Sequence, residues 1–186
     1  MLAQRKQAGV FVDSFSVRNE EDDPRGVAFN NDGTKMFVTG FDGQEVNEYA
    51  LSTGFDVSTA SFVVLFDVSN EDTVPSSVVF NNDGTKMFIL GQTEDKVHEY
   101  TLTTGFDVST ATYAGDDEGF DISNEETVPT GLAFNNDGTK MFVTGKENDA
   151  VNEYTLSTGF DVSTASFVDS FSVSSEEAHP GGLAFN

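Results

Sequence analysis

Asn30-Asn31-Asp32-Gly33-Thr34-Lys35-Met36-Phe37 recurs unchanged at residues 81–88 and 135–142. A second run, Thr53-Gly54-Phe55-Asp56-Val57-Ser58-Thr59-Ala60, recurs at 104–111 and 158–165. Both are offset by 51 and then 54 residues, and the three added residues fall near Gly115–Glu118. Working outward, Phe11–Val17 returns as Phe167–Val173, and Gly182–Asn186 repeats Gly131–Asn135. All four prolines, Pro24, Pro75, Pro129 and Pro180, occupy one position of the repeat. A fixed period of this length means an array of supersecondary units that stack on one another.

The repeat reads as strands. Its segments are short and rich in Val, Phe, Thr and Tyr, with Gly, Asn, Asp and Ser between them, and no window sustains a helical period. Four strands per repeat are expected: 26–30, 35–39, 45–51 and 61–68, then 77–81, 86–90, 96–102 and 111–122, then 131–135, 140–144, 150–156 and 166–173. Asp32-Gly33, Asp83-Gly84 and Asp137-Gly138 are the turn positions of the hairpin between the first two strands. There glycine supplies a positive φ at no steric cost. Each proline sits at a strand start, where a missing N–H does least harm. The expected fold is all-β: a β-propeller of four-stranded antiparallel blades, with three full blades and a flanking strand at either end. Residues 1–10 form a non-repeat lead-in without an apolar signal core, and 11–186 form one array.

Pro129-Thr-Gly-Leu-Ala-Phe-Asn-Asn-Asp-Gly-Thr-Lys-Met-Phe-Val-Thr-Gly145, followed by Val151-Asn-Glu-Tyr-Thr-Leu-Ser-Thr-Gly159, resembles the blade repeat of YVTN/NHL-type and lactonase-like β-propellers. The longer unit with Phe-Asp-Val-Ser-Thr-Ala is also similar to uncharacterised repeats of marine bacterial and phage-associated sequences. The Gly-His and Trp-Asp signatures of Trp-Asp repeat propellers are missing. The resemblance implies the fold and, more loosely, an extracellular or virion setting; it specifies no activity.

Charge bounds the partners. Among 186 residues, 32 are acidic and 9 basic, a net charge of −23. Such a chain does not bind nucleic acid through its phosphates or lie on an anionic membrane. Without cysteine it has no disulfide and no thiol nucleophile.

In propellers the loops from strand four to the next strand one, and from strand two to three, crowd one face, which is where binding is expected by fold analogy. Here each four-to-one loop carries two adjacent acids: Glu20 and Glu21, Glu71 and Asp72, Glu125 and Glu126, Glu176 and Glu177. As ligand or metal candidates these would suit Ca²⁺, which takes six to eight oxygens; no cofactor is required. The other reading is a solvated acidic face. The Asn-Asn-Asp-Gly runs are not EF-hand loops, because Ala28 and Thr39 stand where acidic ligands are needed. The two-to-three loops are the least alike parts of the repeats. Phe55, Phe106 and Phe160 are expected to staple a turn to its blade, and Tyr49, Tyr100 and Tyr154 to pack between blades. His98 replaces Asn47 and Asn152 of the other repeats, and His179 precedes Pro180; two unmatched histidines make no triad.

These readings favour a non-catalytic binding or structural module within a larger assembly. The alternatives are a metal-dependent, lactonase-like hydrolase working on the acidic face and a multivalent glycan-binding module. Three blades leave open edges, and known propellers have about four to eight. Association with copies of itself, as a dimer, is therefore expected, or continuation into a longer protein.

Overall fold

The computed structural model describes residues 10–185. The expected lead-in therefore lies, apart from Val10, outside the described residues. Three antiparallel sheets follow one another along the chain. The first blade is β1 (Pro24–Phe29), β2 (Lys35–Gly40), β3 (Glu45–Leu51) and β4 (Ala60–Asp67). The second is β5 (Pro75–Phe80), β6 (Lys86–Gly91), β7 (Lys96–Leu102), β8 (Ala111–Tyr113) and β9 (Phe120–Asp121). The third is β10 (Pro129–Phe134), β11 (Lys140–Gly145), β12 (Ala150–Leu156) and β13 (Ala165–Ser172). Strands pair in sequence order within each blade. The three first strands β1, β5 and β10 face one another along a shared hollow. This is an arc of propeller blades whose sheets do not close into a ring.

Two expectations need correction. The single fourth strand expected over 111–122 is split into β8 and β9, both paired to β7. Between them Gly115 takes a φ of 119° and Asp116–Glu118 form a 3₁₀ turn. Three extra residues cannot be absorbed by a pleat with a period of two, so they loop out and the strand resumes beyond them. The flanking segments 10–17 and 181–185 form no strand. A fourth strand pairs with a third and a first with a second, and no such strand lies beside them among the described residues. Their rings are nonetheless seated in the places of neighbouring blades. Phe15 lies edge-on to Tyr49 at 5.5 Å, as Phe66 does to Tyr100 at 5.5 Å and Phe120 to Tyr154 at 5.4 Å. Phe185 lies 4.6 Å from Phe142, as Phe80 lies 4.5 Å from Phe37 and Phe134 4.8 Å from Phe88.

The hairpins follow the sequence. Gly33, Gly84 and Gly138 have φ of 71°, 72° and 70°. Asp32 Oδ1 accepts from the Thr34 amide at 3.0 Å and its hydroxyl at 2.6 Å, and Asp83 repeats this on Thr85. The hydroxyl and the amide hold the exposed Asp32, Asp83 and Asp137 carboxyls below the usual carboxylate range.

The core lies between blades rather than within them. Phe37 and Val46 of the first blade share a cluster with Met87, Ile89 and Tyr100 of the second. Phe88 and Leu90 share another with Met141, Val143 and Tyr154 of the third. Fully burying a phenylalanine such as Phe37 or Phe88 contributes about 2–3 kcal/mol. The three tyrosines are completely buried, as expected. Phe106 and Phe160 do more than hold their own turns: Phe106 stacks 6.4 Å from Phe37 of the preceding blade, and Phe160 6.5 Å from Phe88.

Candidate ligand site

The double acids form two layers. The second acid of each pair is buried: Glu21 and Asp72 are 1% and 2% exposed and Glu126 is fully buried. Each reaches across to the two-to-three loop of its own blade and accepts backbone N–H groups there. Glu21 takes Asp23 at 2.8 Å, Asp42 at 3.2 Å and Gly43 at 3.0 Å. Asp72 takes Val74 at 2.7 Å, Thr93 at 3.1 Å and Glu94 at 3.1 Å. Glu126 takes Val128 at 2.9 Å, Glu147 at 3.0 Å and Asn148 at 3.3 Å. Hydrogen bonds to a charged acceptor contribute about 1.5–3 kcal/mol each, so one carboxylate fixes two loops. This works only because Gly40, Gly91 and Gly145 end the second strands: a Cβ there would run into the acid.

The first acid of each pair stands one step outward. Glu20, Glu71 and Glu125 accept from the hydroxyls of Tyr49, Tyr100 and Tyr154 at 3.4, 3.2 and 3.5 Å. Burial, together with these carboxylates, pushes all three phenols above their ordinary value. Glu176 and Glu177 are exposed, and among the described residues Glu177 accepts only from the His179 amide, at 3.1 Å. Six of the eight candidate acids are thus brought together in pairs, one pair per blade, with protein donors on their oxygens. Among the described residues no three His, Cys, Asp or Glu side chains converge as a metal set.

Behind the buried acids lies a polar row on the third strands: Asn47, His98 and Asn152, all essentially buried. His98 Nε2 lies 3.9 Å from Asp72 Oδ2, longer than a hydrogen bond. The middle blade exchanges both partners at once. Where its neighbours hold a Glu and an Asn, it holds the shorter Asp and the larger imidazole, which keeps the filled volume similar. Burial pushes the Asp72 carboxyl up, but the His98 ring and the Val74 and Glu94 amides outweigh that and hold it below its usual value.

Two of the variable positions of the repeat come together. The residue after each proline is Arg25, Ser76, Thr130 or Gly181, and the residue opening each two-to-three loop is Phe41, Gln92 or Lys146. All of these but Phe41, together with Asp23, line a hollow of about 400 Å³ at the mouth where the first strands begin. Arg25 donates to Gln92 Oε1 and to Asp23 Oδ2, both at 3.2 Å, and its guanidinium lies 5.0 Å from the Phe41 ring. Gln92 donates to the Pro129 carbonyl at 2.7 Å. Lys146 is exposed and has no ion pair among the described residues. Two of the chain's nine basic residues therefore meet at this mouth. An alignment of the four repeats displays the variation after the proline, from Arg25 through Ser76 and Thr130 to Gly181.

No family model and no curated protein matches this chain. Solved structures do. A functionally unknown protein of Desulfotomaculum acetoxidans superposes over 87% of this chain and 45% of its own, with a TM-score of 0.59 and 16% identity. A Bacteroides uniformis protein provisionally assigned as a 6-phosphogluconolactonase superposes over 79% of this chain and 40% of its own, with a TM-score of 0.57 and 13% identity. A β-propeller domain from Myceliophteria thermophila does so over 86% and 45%, with a TM-score of 0.52 and 10% identity. The likeness establishes propeller blades, and the chain spans less than half the length of each of these structures.

Proposed function

We propose that the chain is a β-propeller binding module, not a catalyst, and that its ligand seat is the mouth lined by Arg25, Ser76, Gln92, Thr130 and Lys146. One observation carries this reading: the residue after each proline and the residue opening each two-to-three loop differ from blade to blade, and six of these seven residues line the mouth. The acids of the four-to-one loops serve the loops themselves, which supports a structural role for them over calcium capture. Two cations, Arg25 paired to Asp23 and Lys146 without an ion pair among the described residues, suit a small carboxylate- or phosphate-bearing ligand, while the Ser76 and Thr130 hydroxyls donate to backbone carbonyls. The net charge of −23 repels anions at long range, but screening at physiological salt confines that field to about 8 Å, so the two cations act at contact.

Calorimetric titration with gluconate and with inorganic phosphate tests the reading. It expects saturable heat for at least one of them, with affinity falling about tenfold in Lys146→Ala, the loss of one charge-assisted hydrogen bond. No saturable heat, or heat indifferent to both Lys146→Ala and Arg25→Ala, would overturn it. Because solved relatives in fold carry provisional lactonase assignments, 6-phosphogluconolactone belongs in the same series. Its hydrolysis, lost in the mouth variants, would replace the binding reading by an enzymatic one at the same seat.

A further inference from the structure

Each blade grips the next through one repeated device. Lys35 pairs with Glu48 at 2.6 Å on the first blade. Lys35 Nζ also donates to the Phe106 carbonyl at 2.6 Å, and Glu48 Oε2 accepts the Val108 amide at 3.0 Å, both in the second blade. One blade on, Lys86 pairs with Glu99 at 2.6 Å. Lys86 donates to the Phe160 carbonyl at 2.7 Å, and Glu99 accepts the Val162 amide at 3.4 Å. The gripped turn is the same Phe-Asp-Val each time, with its Phe held at positive φ. Both carboxylates are 3% exposed.

The two outer edges of the arc carry the unmatched halves of this device. Lys140 and Glu153 on the third blade pair at 2.6 Å but stand 50% and 30% exposed, gripping nothing further among the described residues. Phe171, the counterpart of Phe66 and Phe120, is 71% exposed instead of packed on a tyrosine. At the other edge the Phe55-Asp56-Val57 turn is held by no clamp, and Phe55 is 61% exposed against a half-buried Phe106 and Phe160.

We infer that the third-blade edge is an interaction surface for a second copy of this chain, with Lys140 and Glu153 gripping the partner's Phe55 carbonyl and Val57 amide. This continues an interface the molecule already builds twice: every group the clamp needs is present, at the required spacing, on the opposite edge. The joint is head to tail, so successive copies build a ring or a longer array according to the rotation between blades. On docking, Phe171 takes the seat on Tyr49 now filled by Phe15, and Phe29 takes the seat on Phe142 now filled by Phe185. Those two segments hold their seats without a strand ladder, and the partner's blade replaces them.

Light scattering on a sizing column, at micromolar concentration, tests this. The expected mass is twice the 20.1 kDa protomer or a higher multiple of it. Lys140→Ala with Glu153→Ala should weaken association by about a hundredfold or more, as truncating a desolvated charge pair does at other interfaces, and return the protein to a monomer. Lys140 is exposed and Glu153 is half-buried at the edge of the arc, so the double variant keeps its fold, which circular dichroism checks. A cross-linking series gives an independent readout. The chain has no cysteine, so Asn31→Cys and Asn136→Cys can be made singly, and a short bismaleimide should join them only when the two variants are mixed. A monomeric wild type would overturn the proposal. So would a dimer unmoved by the double variant, or a cross-link no stronger in the mixture than in either variant alone.

Discussion

The clamp of the second blade and the clamp of the third have the same residues at the same 2.6 Å separation, yet they are different objects. Lys86 and Glu99 close on a turn from the next blade, and Glu99 is 3% exposed. Lys140 and Glu153 close only on each other, and Glu153 is 30% exposed. Sequence sets the pair; the neighbouring blade decides whether it is a buried junction or a surface ion pair. The same contrast runs through the whole arc. The clamp residues, alike in every repeat, join blade to blade, while the residues after the prolines differ and line the mouth.

The sharpest break of this comparison is to remove the carboxylate at each position. Glu99→Ala leaves Lys86 beside an unpaired Val162 amide and should cost about 3 kcal/mol, the range for breaking a buried pair. Glu153→Ala, in protein dilute enough to keep copies apart, should cost about 0.5 kcal/mol or less. Urea unfolding read by far-ultraviolet circular dichroism separates the two; equal losses would mean the neighbouring blade adds nothing. The next largest effect is expected at the hairpin turn on which the clamped Phe106 packs. Gly84 has a φ of 72° and a Cβ there would run into the Phe106 ring. Gly84→Ala should therefore lose about 2 kcal/mol, from left-handed strain plus displaced packing.

The middle blade sharpens the comparison in another way. If Asp72 and His98 replace Glu and Asn as a volume-matched set, Asp72→Glu and His98→Asn should each destabilise by about 1–2 kcal/mol, and the double variant by less than their sum. Additive losses in a double-mutant cycle would show that the two exchanges are unrelated. Asp72 also has a pH signature. Its folded value lies below the usual 3.8, so its contribution is present above 3.8 and lost as pH falls through the folded value. Unfolding free energy should drop on that acid limb, and Asp72→Asn should flatten the drop. The smallest effect belongs to the mouth. Lys146→Ala should leave stability within about 0.5 kcal/mol while weakening any anion bound there.

How far the fold could be read follows from the distance over which each residue acts. Gly33 and Asp32 act within a four-residue turn, so the hairpins and strand order were plain from the repeat. Phe55 and its copies were expected to serve their own blade, but two of the three also stack on the blade before, a contact some 70 residues away in sequence that no local pattern carries. The paired acids show the limit most clearly. Two adjacent carboxylates beside a proline suggest a ligand, but Glu21 points back at the Asp42 and Gly43 amides, 21 and 22 residues on. A carboxylate capping backbone and one awaiting a cation have the same spacing in sequence. The split of the fourth strand was hidden for a related reason: three added residues say that something loops out, not where the ladder resumes.

Three amide protons that the sequence makes equivalent tell the clamped turns from the unclamped one. Val108 N–H is held by Glu48 at 3.0 Å and Val162 N–H by Glu99 at 3.4 Å, while Val57 N–H has no partner among the described residues. Hydrogen exchange resolved at these three amides, in dilute protein, tests the clamp most directly. The account predicts slow exchange at Val108 and Val162, fast exchange at Val57, and protection of Val57 as concentration rises and a second copy closes on it. Equal exchange at all three in dilute protein would contradict it.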